Sequence, residues 1–146
     1  MLANRTLYDD DFYTWANQQA ALLRAGKLSE ADIENIAEEI ETIGKSEKRE
    51  LTSRLTVLLL HLLKWQYQPG RRGRIWRFSI EGQRLDVAVL LRDNPSLKPL
   101  LPGVIADAYE RAVIDAQRET RIVTGVFPAG CPYTFGQMMS RDFWPE

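Results

Sequence analysis

Cysteine and histidine are almost missing from this chain: each occurs once in 146 residues, as Cys131 and His61. One cysteine excludes an internal disulfide and fits a reducing cytoplasm, where thiols stay free. One histidine removes the commonest zinc and di-iron ligand sets, which need several imidazoles or a Glu-x-x-His pair from each of two helices; position 58, three before His61, is Leu. There is no long apolar run either. The stretch from Val57 to Leu63 is interrupted by His61 and falls far short of the roughly 20 residues a membrane helix needs. The opening MLANRTLYDDDF has neither a basic n-region nor an apolar h-region, so no signal peptide is expected. No segment alternates apolar and polar residues long enough to be a strand. With a net charge of −1, the surface as a whole is not built to cling to nucleic acid or anionic lipid.

Helical periodicity fills nearly all of the sequence. Phe12, Trp15, Ala16, Gln19, Leu22 and Leu23 recur at spacings of three and four, behind the acidic cluster Asp9–Asp11 and ahead of Gly26, a natural C-terminal stop. Ser29 heads S-E-A-D, a variant capping box that predicts a second helix. Its apolar stripe is Ile33, Ile36, Ala37, Ile40 and Ile43, and Gly44 is expected to end or kink it. A third helix is predicted from about Ser46 to Tyr67. It is apolar almost all round, as the buried centre of a bundle is. A fourth spans roughly Ile75 to Arg92, with Trp76, Ile80, Val87, Leu90 and Leu91 facing inward. Pro99 and Pro102 should leave the next stretch irregular, and a fifth helix follows over about Val104 to Arg121. The tail is loop with one short helical turn capped by Thr134. The fold class expected is all-α: a single domain over 1–146, a bundle of four or five helices.

Several blocks taken together carry a resemblance. YDDDFYTWANQQAALLRAG, DIENIAEEIETIGKSEKREL, LLLHLLKWQYQP, NPSLK, FPAGCPYTFGQ and RDFWP, in that order over essentially the whole chain, resemble the bacterial domain of unknown function family 29. The resemblance implies an all-helical fold and carries no activity or catalytic residue. The chain departs from the family pattern at Arg121-Ile122, where many members continue with Gly-Leu. That departure bears on a tight turn at the end of the fifth helix.

Charge is segregated. Glu30 to Glu50 holds eight acids and three bases, a net of −5; Lys64 to Arg92 holds seven bases and two acids, a net of +5. Such runs read first as solvated or mutually paired faces. The functional reading of the basic run is anion or nucleic-acid binding at Arg71, Arg72, Arg74 and Arg77. There, a turn precedes a helix N-terminus, and Tyr67, Trp76 and Phe78 could offer stacking surface. Burial of Trp76 and Phe78 argues against it.

The stripe Glu34, Glu38 and Glu41 invites a metal reading, with Glu38, Glu41, Asp115 and Glu119 as conceivable ligands of a metal-dependent phosphohydrolase; the simpler reading is the wet side of a surface helix. His61 reads as a neutral structural histidine bonded to a backbone carbonyl or carboxylate, against a nucleophile–base pair with Cys131. Phe135, Phe143 and Trp144 pack back on the bundle or face a partner. No motif supports a cofactor or a metal. The expectation is a cytoplasmic protein-interaction or regulatory helical module, more an association partner than an enzyme. It would bind another protein or itself, with nucleic acid as the lesser alternative and no membrane.

Overall fold

The computed structural model describes residues 7–123 and 125–146; residues 1–6, on which part of the leader expectation falls, lie outside them. The fold is all-α, with no strand among the described residues. The chain divides into two compact units, Met1–Ser46 and Glu47–Glu146.

In the first unit a helical turn over residues 7–10 leads into α1 (Phe12–Arg24). Asp11 caps α1 by accepting from Thr14 N at 3.1 Å and Thr14 Oγ1 at 2.7 Å. The other end closes at Gly26, with φ +73°, where Gly26 N–H donates to Leu23 O and Lys27 N–H to Leu22 O. That is the paired bonding of a Schellman stop.

The following helix does not start at a Ser29 box. Leu28–Glu30 is a single 3₁₀ turn, and α2 begins at Ile33 with Ile36 N–H bonded to Asp32 O. Neighbouring α1 fixes that start. Gln19 Oε1 accepts the Asp32 N–H at 2.7 Å, while the Asp32 carboxylate takes the Trp15 indole N–H at 3.1 Å and the Asn35 amide at 2.7 Å. Tyr8 O–H donates to Glu39, so α1 and its leading turn lie along one side of α2.

The expected stop at Gly44 is also absent. α2 runs unbroken over Ile33–Tyr67, 35 residues. A glycine inside a helix costs about 1 kcal/mol relative to alanine, less than abandoning a turn flanked by good helix formers. Gly44 keeps a helical φ, whereas Gly26 turns left-handed.

From Leu51 onward α2 is the centre of the second unit. Leu51, Leu55, Leu58, Leu59, Leu62 and Leu63 are fully buried, each contributing about 1.5–3 kcal/mol of burial. Around them pack α3 (Arg74–Asp93) through Ile80, Val87 and Leu91, and α4 (Leu101–Thr120) through Val104, Ala108, Tyr109, Ala112 and Ala116. A 3₁₀ stretch, Pro95–Leu100, joins them in place of irregular chain, and α4 starts three residues before Val104. Pro102 is no obstacle in a first turn, where its missing N–H has no intrahelical partner to lose. The short α5 (Phe135–Met139) carries a complete capping box: Thr134 Oγ1 accepts from Gln137 N, and Gln137 Oε1 accepts from Thr134 N. Phe127, Tyr133 and Met138 fill the remaining core, and Phe135, Phe143 and Trp144 pack back against it.

The turn at the end of α4 survives the departure from the family pattern. Arg121 adopts φ 61°, ψ 16°, and is the only non-glycine residue with positive φ among those described. Its N–H still closes onto Gln117 O. A left-handed L-residue with a Cβ costs about 1–2 kcal/mol. Arg121→Gly, at an exposed position, should therefore stabilise the protein by roughly 0.5–1 kcal/mol in urea unfolding, after the extra chain entropy of glycine is discounted.

Candidate functional site

The arginine cluster separates into different roles. Gly73 is the extended N-cap of α3, with Arg71 ending the preceding 3₁₀ turn and Arg74 opening the helix. Arg71, Gly73, Arg74, Ile75, Trp76 and Phe78 line an open groove of about 920 Å³. Arg74 lies over the Phe78 ring at 5.7 Å. Arg77 is half engaged, with Nε at 3.3 Å from Glu81 and its guanidinium 5.6 Å from the Trp144 ring. Arg72 turns inward instead. Its Nε donates to Trp65 O at 2.7 Å, its Nη2 to Pro145 O at 3.2 Å, and it covers the Trp65 ring. Of the four expected anion-binding arginines, the groove thus holds Arg71 and Arg74.

The groove is more apolar than the sequence reading allowed. Phe78 is 58% exposed and Ile75 80%, while Trp76 is half-buried beneath the Lys64 ammonium at 4.9 Å. Leu85 is 61% exposed. At about 100° per residue, Ile75, Phe78, Gly82 and Leu85 share one outer face of α3, opposite the buried Ile80, Arg84, Val87 and Leu91. Their spacing of three, four and three is the signal that could have revealed this second stripe.

The first unit has an apolar face of its own. Its buried side chains among the described residues are Trp15 and Gln19 alone. Ile33, Ile40 and Ile43 on α2 are 50%, 64% and 64% exposed. Ala37 and Gly44 lie beside Ile33 on the wheel, next to the isoleucines, and Glu34 and Glu41 follow on the side away from Asp32 and Glu39, which α1 and its leading turn engage.

The remaining candidates have structural partners. Among the described residues no three His, Cys, Asp or Glu side chains gather where a metal could sit. Asp115 lies between Arg111 and Arg118, each at 3.3 Å, and Glu119 holds the buried Lys64 ammonium at 2.9 Å. His61 Nδ1 donates to Val57 O at 2.8 Å, one turn back on α2. Cys131 Sγ is bonded to Tyr133 O at 3.4 Å, and burial pushes its thiol above the usual range, away from a reactive thiolate. His61 and Cys131 are each committed elsewhere.

Burial, with the Lys64 charge adding to it, pulls the His61 pKa below the ordinary imidazole value of 6.5. The folded state therefore favours the neutral ring. That contribution to stability is complete above the unfolded pKa and is lost as pH falls below it. His61→Asn keeps a donor for Val57 O without a titrating ring. Its unfolding free energy should fall less than the parent's between about pH 7 and 5, measured by urea titration at each pH.

One residue stands out that charge patterning alone did not single out. Arg84 is 5% exposed, on the inward face of α3, four residues after Ile80 and three before Val87. Its Nε donates to Met138 O at 2.6 Å and its Nη2 to Phe143 O at 2.7 Å, and the Trp144 ring lies 5.2 Å from the guanidinium. Trp144 in turn packs on Trp65 at 4.7 Å, and Tyr133 O–H reaches Gln66 Oε1 at 2.7 Å. Together with Arg72, Arg84 binds the tail to the helices. Arg84→Ala should cost about 3 kcal/mol or more, because it strands buried carbonyls and leaves a void. Arg84→Lys should recover little, since an ammonium lacks the fork that reaches both carbonyls. Urea unfolding and proteolytic release of the tail read both changes.

These features define a helical protein whose exposed faces are apolar and charged and whose lone histidine and cysteine are internally bound. The family model for the domain of unknown function DUF29 matches residues 7–144, and the chain belongs to that family. No curated protein and no solved structure matches it. No helix among the described residues is long and apolar enough to cross a membrane.

Proposed function

We propose that this chain is a helical protein-association module of the bacterial cytoplasm, and that its apolar helix faces are where a partner polypeptide docks. The observation that carries this reading is the exposure of Ile33, Ile40 and Ile43 on α2 and of Ile75, Phe78 and Leu85 on α3. Large apolar side chains grouped along one helix face and edged by charge are the surface composition of an interface. Three or four such side chains, each withheld from water, supply the anchor energy an interface needs at its centre. The single free cysteine suits a reducing compartment.

A second reading has support in one feature, the exposed Phe78 with Arg74 over its face and Arg71 beside it. An aromatic platform flanked by arginines suits single-stranded nucleic acid.

One experiment separates the two. A photo-crosslinking amino acid at Ile43 or Ile75, activated in living cells, should give discrete adducts that protease removes and nuclease leaves intact. Adducts removed by nuclease would transfer the groove to the second reading. The absence of any adduct at either position would overturn both.

A further inference from the structure

We propose that the cleft between α3 and the C-terminal tail binds a small amphipathic monocarboxylate, its carboxylate at Arg84 and Arg141 and its apolar body against Phe78, Leu85 and Met139. Such a ligand needs no partner polypeptide, so the site is independent of the association reading above.

Three observations carry it. The first is an incomplete guanidinium. Arg84 is 5% exposed; its Nε and Nη2 donate to tail carbonyls, but its Nη1 is buried with no hydrogen-bond partner. Folded chains rarely leave a buried donor so, and an ion or ligand that belongs at the site is one of the few reasons they do. The two carbonyls also leave the charge standing. The other sheltered charges have counter-ions, Lys64 in Glu119 and Asp115 in Arg111 and Arg118, whereas no acid among the described residues forms an ion pair with Arg84. Burial accordingly lowers the Arg84 pKa from its ordinary value, with Glu81 offsetting part of the shift.

The second is where that side chain sits. Arg84 is part of the wall of a cleft of about 660 Å³, which also holds Phe78, Leu85 and Ala88 of α3, Met139 of α5 and Arg141 beyond it. That volume suits a small organic molecule, and an apolar lining with a few convergent polar groups is the composition of a ligand site. Met139 and Arg141 have long, flexible side chains that can yield to admit an anion to the sheltered Nη1.

The third is the charge balance, which selects a monoanion. The acid in the lining, Glu81, is already held by Arg77 Nε at 3.3 Å. Arg84 and the exposed Arg141 remain without an acid, and one carboxylate can place an oxygen at each. A phosphate would bring a second charge towards Glu81 and would want more donors. Backbone N–H groups cannot supply them here, because along the middle of a helix they are bonded to the preceding turn.

Isothermal titration of the full chain with sodium octanoate tests the site, with 1-octanol as the uncharged match. Octanoate should bind one per chain, and octanol at least about tenfold more weakly. Ala88→Trp fills the cleft and Arg141→Ala removes its outer cation; both positions are exposed, so circular dichroism should show both variants folded. The first should abolish octanoate binding and the second weaken it about tenfold. Because the far wall of the cleft belongs to the tail, octanoate should also slow proteolytic release of the tail in the parent but not in the Ala88→Trp variant.

Failure of octanoate to bind at millimolar concentration overturns the proposal. So does equal binding of octanol, which would mean that the cleft reads no charge, or binding unaltered by Ala88→Trp, which would place the ligand elsewhere. A peptide with a free C-terminal leucine carboxylate that binds where octanoate does not would give the cleft to a polypeptide end and overturn the small acid.

Discussion

The second unit hangs on a buried guanidinium. Arg84 is placed among leucines and valines, where an unpaired cation would be expelled, and it is kept there by carbonyls of the C-terminal tail and the face of Trp144. The dependence runs both ways. Without the tail the charge has no partners, and without the charge the tail loses the donors that hold Met138 and Phe143 in place. Arg72 repeats the arrangement with Trp65 and Pro145. Planar forks that read backbone carbonyls thus join segments more than fifty residues apart in sequence. The aromatic contacts of Trp144 with Trp65 and of Tyr133 with Phe143 close over them.

α2 meets two environments along one helix. From Leu51 to Leu63 it is the most buried element of the second unit; from Ile33 to Ile43 three of its four isoleucines remain exposed. A single continuous helix needs no change in backbone chemistry to do this, only a change in which faces are apolar. Gly44 lies close to the join between the two regimes without breaking the helix.

Much of this was legible in the residues. The 3.6 period located α1, α3 and α4 and the helical residues of α2, which it split in two at Gly44; the leucine-rich stretch declared itself the bundle centre, Gly26 marked a stop, and Thr134 marked a cap. The errors have two physical causes: a local signal overruled by a contact distant in sequence, and one overruled by the helix around it. Ser29 offered a cap, but Gln19 and Trp15 secure Asp32 instead. Gly44 resembled Gly26, yet only Gly26 adopts the left-handed turn that ends a helix. The same holds for the candidate site. Arginine count located the basic region, but it could not separate Arg72 and Arg84, which bind carbonyls, from Arg71 and Arg74, which line a groove. Phe78 looked like core because composition does not reveal which of two apolar stripes on α3 the bundle uses.

The thin interior of the first unit has a thermodynamic consequence. Its closure relies on polar contacts, Asp32 with Trp15, Asn35 and Gln19, more than on apolar burial. Unfolding it exposes little new apolar surface, so the heat-capacity change of that step is small and its melting is broad. A unit of this kind opens at a lower free energy than a leucine-packed bundle. Any molecule that bound its exposed isoleucines would raise its apparent stability as occupancy rises, by mass action.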